Sequence, residues 1–111
     1  MLLTLLLALT SFAAPFNTAW TITGLDGTTS ATQANLIWAT PHEATTATVF
    51  MGLAANDLSM PPIAVNASAE VHQLSIPHLR SGTRYFFEVE ATDADGVSVY
   101  SVLISKVTKA Q

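Results

Sequence analysis

After Pro15 the chain alternates apolar and polar positions with a period of two, and turn-forming residues interrupt the pattern at short intervals. A half-buried strand produces this pattern because successive side chains leave on opposite faces. Residues 19–23 read as a first strand, closed by a turn at Asp26-Gly27. Ala34, Leu36 and Trp38 alternate with Asn35, Ile37 and Ala39, predicting a second strand with Trp38 facing inward. Ala47, Val49 and Met51 predict a third strand that ends at Gly52. Residues 56–62 are irregular, and Pro61-Pro62 confines that stretch to a loop or an edge because proline cannot donate to a ladder. His72, Leu74 and Ile76 mark a further strand, stopped by Pro77. Tyr85, Phe87, Val89 and Ala91 mark the strongest one. Asp93-Ala94-Asp95-Gly96 is a hairpin turn signal, and residues 97–107 form the last strand. No segment carries a helical period. Short strands at this spacing indicate an all-β sandwich or barrel.

The segment from Leu79 through Ser81-Gly82-Thr83-Arg84 to Tyr85 narrows that choice. A tight Ser-Gly turn feeds straight into a strand that opens with Tyr. Such a ring spans the corner and returns its hydroxyl to the backbone upstream, which is the tyrosine corner of Greek-key sandwiches. Trp38, Tyr85, Phe87, Leu36, Leu74, Leu79, Val49 and Val89 are then the expected core shared by two sheets.

With these residues in place, the chain resembles a fibronectin type III domain. The likeness is carried by Ser30-Ala31-Thr32 through Trp38, by residues 43–49, by His72-Gln73-Leu74-Ser75-Ile76 leading to the Tyr85 corner, and by residues 91–96 leading to Tyr100-Ser101. More narrowly, it is similar to domains of bacterial secreted and surface proteins, and to the domain preceding the catalytic domain in purple acid phosphatases. The resemblance implies an immunoglobulin-like Greek-key β-sandwich of about seven strands in two antiparallel sheets, spanning residues 16–109. Three positions depart from the family pattern: Ser81 stands where Pro is usual, Met51 where an aromatic is frequent, and Lys106 where an apolar residue is usual. Lys106 implies a frayed or edge-exposed C-terminal strand.

Composition bounds what such a domain does. The chain has 111 residues, half of them hydrophobic and only 11% charged, so one ordered domain is expected. Its four basic residues, Arg80, Arg84, Lys106 and Lys109, form no patch, and the net charge is -4. Nucleic-acid binding needs a basic footprint and is set aside. The absence of cysteine excludes disulfides, thiolate metal sites, a cysteine nucleophile and an acylated lipoprotein anchor. Residues 1–13 combine a leucine-rich core with small residues at Ser11 and Ala13, which reads as a secretory signal peptide, although no Lys or Arg precedes the core. The apolar run falls short of the roughly 20 residues a membrane span requires. Secreted, extracellular or periplasmic placement follows.

The three histidines, His42, His72 and His78, lack the nucleophile or metal set that hydrolysis needs, so no catalytic residue, cofactor or metal is assigned and the chain is not read as an enzyme. His42 and Glu43 fall in a loop that the resemblance places at the same end as Asp93 and Asp95. A calcium, magnesium or zinc site there is one reading; a solvated turn that uses Asp and Gly for backbone reasons is the other. Asn66-Ala67-Ser68 matches a glycosylation sequon, which has meaning only in a eukaryotic secretory path.

The outward positions carry the functional expectation. Phe50 points opposite to Val49 and Met51, and Phe86 opposite to Tyr85 and Phe87. In the resembled fold their strands are neighbours, so the two rings lie side by side on an outer face, extended by Val97 and Val99 and rimmed by Glu88 and Glu90. The segment around Phe16 is an alternative cover for that face. The chain is thus read as a non-catalytic module that contacts a protein or an extracellular polymer. The alternative is an accessory domain of a secreted metallophosphoesterase or other hydrolase, inactive alone.

Overall fold

The structure is a computed structural model, and it describes residues 20–111. Within them lie eight strands: β1 (Thr23–Thr29), β2 (Ala34–Ala39), β3 (Thr45–Gly52), β4 (Ile63–Ala69), β5 (Val71–Ile76), β6 (Arg84–Thr92), β7 (Ser98–Tyr100) and β8 (Ile104–Val107). No helix occurs among the described residues. Strands β1, β2 and β5 form one antiparallel sheet. The larger sheet runs β4-β3-β6, with β7 and β8 pairing successive parts of β6. The sequence-based alternation from Leu36 to Val89 is the packing between them. Leu36, Trp38, Val49, Phe87 and Val89 are fully buried, with Met51, Ile76, Leu79 and Tyr85 beside them. Leu74, on the edge strand β5, is only partly buried.

Three strands differ from the sequence reading. Asp26-Gly27 is no turn; it lies inside β1, which begins at Thr23. The register slips between Thr23 and Asp26, and Gly24 at φ +66° supplies the left-handed residue such a bulge needs. The strand β4 follows Pro61-Pro62 directly and forms an edge of the larger sheet, where proline is tolerated. The last strand is broken between Tyr100 and Ile104. At the break Ser101 takes over the pairing with its own atoms: its amide donates to the Val89 carbonyl at 2.8 Å, and its hydroxyl accepts from the Val89 amide at 2.9 Å.

The C-terminal strand is not frayed. Lys106 reaches across the open side of the sandwich to Asp26 at 2.7 Å, which explains a cation at an otherwise apolar position. Thr108 is buried, donates its hydroxyl hydrogen to the Arg80 carbonyl at 2.6 Å and accepts from the Thr83 amide at 2.9 Å. The Lys109 amide donates to the Ser30 carbonyl. The final residues are therefore stitched to both β1 and the turn before β6.

Candidate functional site

The corner before β6 has the predicted geometry. The Arg80 amide donates to the Tyr85 hydroxyl at 2.9 Å, the Leu79 amide donates to the Thr32 carbonyl, and Gly82 at φ +58° makes the tight reversal. The Tyr85, Thr83 and Thr108 hydroxyls all bond backbone atoms here, so these side chains do structural work.

The loop end does not gather the four residues singled out there. Among the described residues no three His, Asp or Glu side chains converge as a metal site would require. The loop from Thr40 to Thr45 closes on itself: the Thr40 hydroxyl donates to the Glu43 carbonyl at 2.7 Å and lies 2.9 Å from the Thr45 hydroxyl. The His42 amide donates to Glu70. Asp93 is engaged by its own turn. Its Oδ1 accepts from the amides of Asp95 and Val97, both at 2.9 Å, and its Oδ2 accepts from the Trp20 indole at 3.2 Å. The Val97 amide holds the Asp93 carboxyl below its ordinary pKa; burial opposes this, and Trp20 and the Asp95 amide add to it. The Asp and Gly of this motif thus act as turn residues.

His72 is buried, with its Nε2 2.8 Å from the Thr45 carbonyl. A carbonyl only accepts, so the proton sits on Nε2 and the ring ties β5 to β3 across the sandwich. His78, at φ +64° in the corner, is exposed.

The outer face of the smaller sheet holds an open groove of about 310 Å³ lined by Asn35, Gln73 and Ser75 together with apolar Ile37 and Leu74. Two of these are paired: Ser75 Oγ donates to Asn35 Oδ1, which also accepts from Gln33 Nε2.

The outer face of the larger sheet is different in kind. Phe50 pairs with Glu88, and Phe86 pairs with Gly52 and Ser105. The two rings are therefore diagonal neighbours, a relation that brings long side chains within reach. Both are half-buried. Val97 and Val99 do not join them. Val99 pairs with Ala91, whose side chain is fully buried, so Val99 lies on the inner face, as does Val97 two positions before it. A four-residue loop would have set Val97 against Thr92 and turned both valines outward. The Asp93 side chain instead holds Val97 inside the turn, and Thr92 pairs with Ser98. A one-residue change in register exchanges the faces of a whole strand. The same shift brings Tyr100 outward, opposite Glu90 and 57% exposed. The Glu90 carboxylate pushes the Tyr100 hydroxyl pKa up, with burial and Glu88 adding to it. Val102 (72% exposed) and Leu103 (40%) lie in the break that follows, outside any strand pairing.

No protein-family model matches the chain, and no curated protein matches it at a significant level. Solved structures do. The FN1–FN3 domains of chicken CNTN1 match over 80% of this chain with a TM-score of 0.63 and 17% identity. The fold is that of a fibronectin type III domain. A human fibronectin type III domain, from fibronectin type III domain containing protein 3, matches over 85% of the chain and 87% of its own length, with a TM-score of 0.59 and 19% identity. A β-1,2-glucanase from Parabacteroides distasonis matches over 85% of the chain with a TM-score of 0.63 and 14% identity. The chain spans 32% of the CNTN1 structure and 13% of the glucanase.

Tyr100 is the surface residue that the sequence reading missed. The signal was present in the turn: an Asp able to accept two amides within it, with Gly96 at φ +84° before Val97, sets the parity of β7.

Proposed function

We propose that this fibronectin type III domain is a secreted, non-catalytic interaction module that contacts its partner through the outer face of the larger sheet. The observation that carries this is the placing of Phe50, Phe86 and Tyr100 on one face of the sheet. Aromatic side chains gathered on one sheet face and rimmed by Glu88 and Glu90 are the kind of exposed patch that marks a contact site. Secretion rests on the leader-like residues 1–13, which lie outside the described residues, as does Phe16. The test is partner recovery by the secreted protein against a Phe50→Ser/Phe86→Ser variant of matched melting temperature. Loss of recovery supports the face; equal recovery removes it. N-terminal sequencing of the secreted product tests the leader, with cleavage after Ala13 expected.

A second reading is an accessory domain of a secreted hydrolase. It is favoured by the likeness to a segment of the β-1,2-glucanase. A catalytic domain encoded in the same reading frame would support it, and a solitary domain would weaken it.

A further inference from the structure

We propose that the outer face of the larger sheet binds an extended protein segment carrying arginine or lysine at alternate positions, with the cations seated between Glu88, Glu90 and the rings of Phe50, Phe86 and Tyr100. This rests on the reading of that face as a partner surface and adds the chemistry of what it holds. Glu88 and Glu90 project from β6, which has strands on both sides, and each faces an aromatic across a ladder: Glu88 opposite Phe50, and Glu90 opposite Tyr100. Neither carboxylate has a basic partner; among the described residues the ion pair present is Lys106 with Asp26, on another part of the molecule. Arg84 shares the face, but it stands four positions from Glu88 along the strand, about 13 Å, and it donates to Ser105 at 2.8 Å.

Both residues are half-buried within the sheet face. A guanidinium or ammonium group answers both parts of this surface at once, since it pairs with carboxylate and is drawn to the face of an aromatic ring. The spacing selects the shape of the occupant. Residues two apart on a strand are about 7 Å apart, and alternate side chains of an extended peptide repeat at the same distance. The raised pKa of Tyr100 reports the negative potential that a cation would meet. Arg84 repels a cation at the far end of the face and so limits the basic stretch to the Glu88–Tyr100 half.

The test is titration of the isotope-labelled secreted protein, by amide NMR, with a Gly-Arg-Gly-Arg-Gly peptide and with its Gly-Glu-Gly-Glu-Gly counterpart. Shifts confined to residues 48–50, 86–90 and 98–103 with the arginine peptide alone support the proposal. So does a loss of about tenfold in affinity, roughly what removal of two charge contacts gives, in Glu88→Gln/Glu90→Gln at unchanged melting temperature. Equal binding by that variant, shifts centred on Glu70 or Asp57, or no binding because the chain's own N-terminal segment covers the face would overturn it. If Phe50→Ser/Phe86→Ser loses its partner while Glu88→Gln/Glu90→Gln keeps it and wild type ignores the arginine peptide, the face is a partner surface but not one for cations.

Discussion

Trp38 and His72 stack across the β2–β5 ladder, with ring centroids 5.3 Å apart and planes inclined at 21°. From that position His72 donates to the Thr45 carbonyl at 2.8 Å, so one imidazole packs against the central tryptophan and bonds the two sheets together. This accounts for a histidine that chemistry does not need.

Replacing His72 with Ala leaves the Thr45 carbonyl buried without a donor and strips one side of the Trp38 ring. The expected loss is about 2–4 kcal/mol, from the orphaned acceptor and the lost ring contact. Gln73→Ala, one residue along and exposed, should change stability by less than about 0.5 kcal/mol. Urea unfolding of the two variants separates them; equal midpoints would contradict a cross-sheet role for His72.

The Tyr85 hydroxyl has one visible task, accepting from the Arg80 amide. Tyr85→Phe keeps the ring in the core and removes that acceptor, so it should cost about 1 kcal/mol, the net worth of one hydrogen bond. Hydrogen exchange at Arg80 should rise in step with the lowered denaturation midpoint. An unchanged exchange rate would mean that the corner is held by Gly82 and Thr108 alone.

Gly52 is buried at the end of β3, where the chain folds back through the bridge between Ala54 and Asp57. A Cβ there would land on the Asp57 carbonyl oxygen and within 2.7 Å of the Leu58 Cα. Both obstacles are backbone, which does not rotate away. Gly52→Ala should therefore cost at least about 3 kcal/mol, whereas Gly96→Ala meets open space and is penalised only for its positive φ of +84°. Thermal unfolding of the pair checks the order.

Asp93 gives the domain an acid-side dependence of stability. Its carboxyl is held below the ordinary value in the folded state, so the folded form favours the ionised group. That contribution is present above the unfolded carboxylate pKa of about 4 and is lost as pH falls through the lower folded value. Asp26, lowered by the hydrogen bond from Lys106, then by the Gly27 amide and the Lys106 charge, acts in the same direction. Asp93→Asn should be less stable than wild type at neutral pH, and the difference should shrink below about pH 4. A gap that stays constant to low pH would show that the turn relies on geometry alone and not on the charge.

Much of this molecule was legible along the chain. Alternation identified β2, β3, β5 and β6 because burial between two layers imposes a period of two on any strand that has one wet face. The Tyr85 corner was legible for a local reason: donor and acceptor are five residues apart. Asp26-Gly27 misled because the same pair of residues serves a turn and a bulge equally well, and what distinguishes them is whether β2 lies alongside. Lys106 was read half rightly: β8 is an edge strand, pairing β6 alone, but it is not frayed, because the partner of Lys106, Asp26, is eighty positions away and becomes a neighbour only when the sandwich closes.

The sequence by itself determined that the strands would turn one apolar face to a shared interior, since that buries Leu36, Trp38, Val49, Phe87 and Val89 together. It did not determine which side chains of the last strand would face water. The closure of the turn on Asp93, by the Val97 amide to its carboxylate, by its own amide to the Val97 carbonyl and by left-handed Gly96, sent Val99 inward and brought Tyr100 out beside Glu90. Faces are set by register, and register belongs to the pairing of strands rather than to either strand alone.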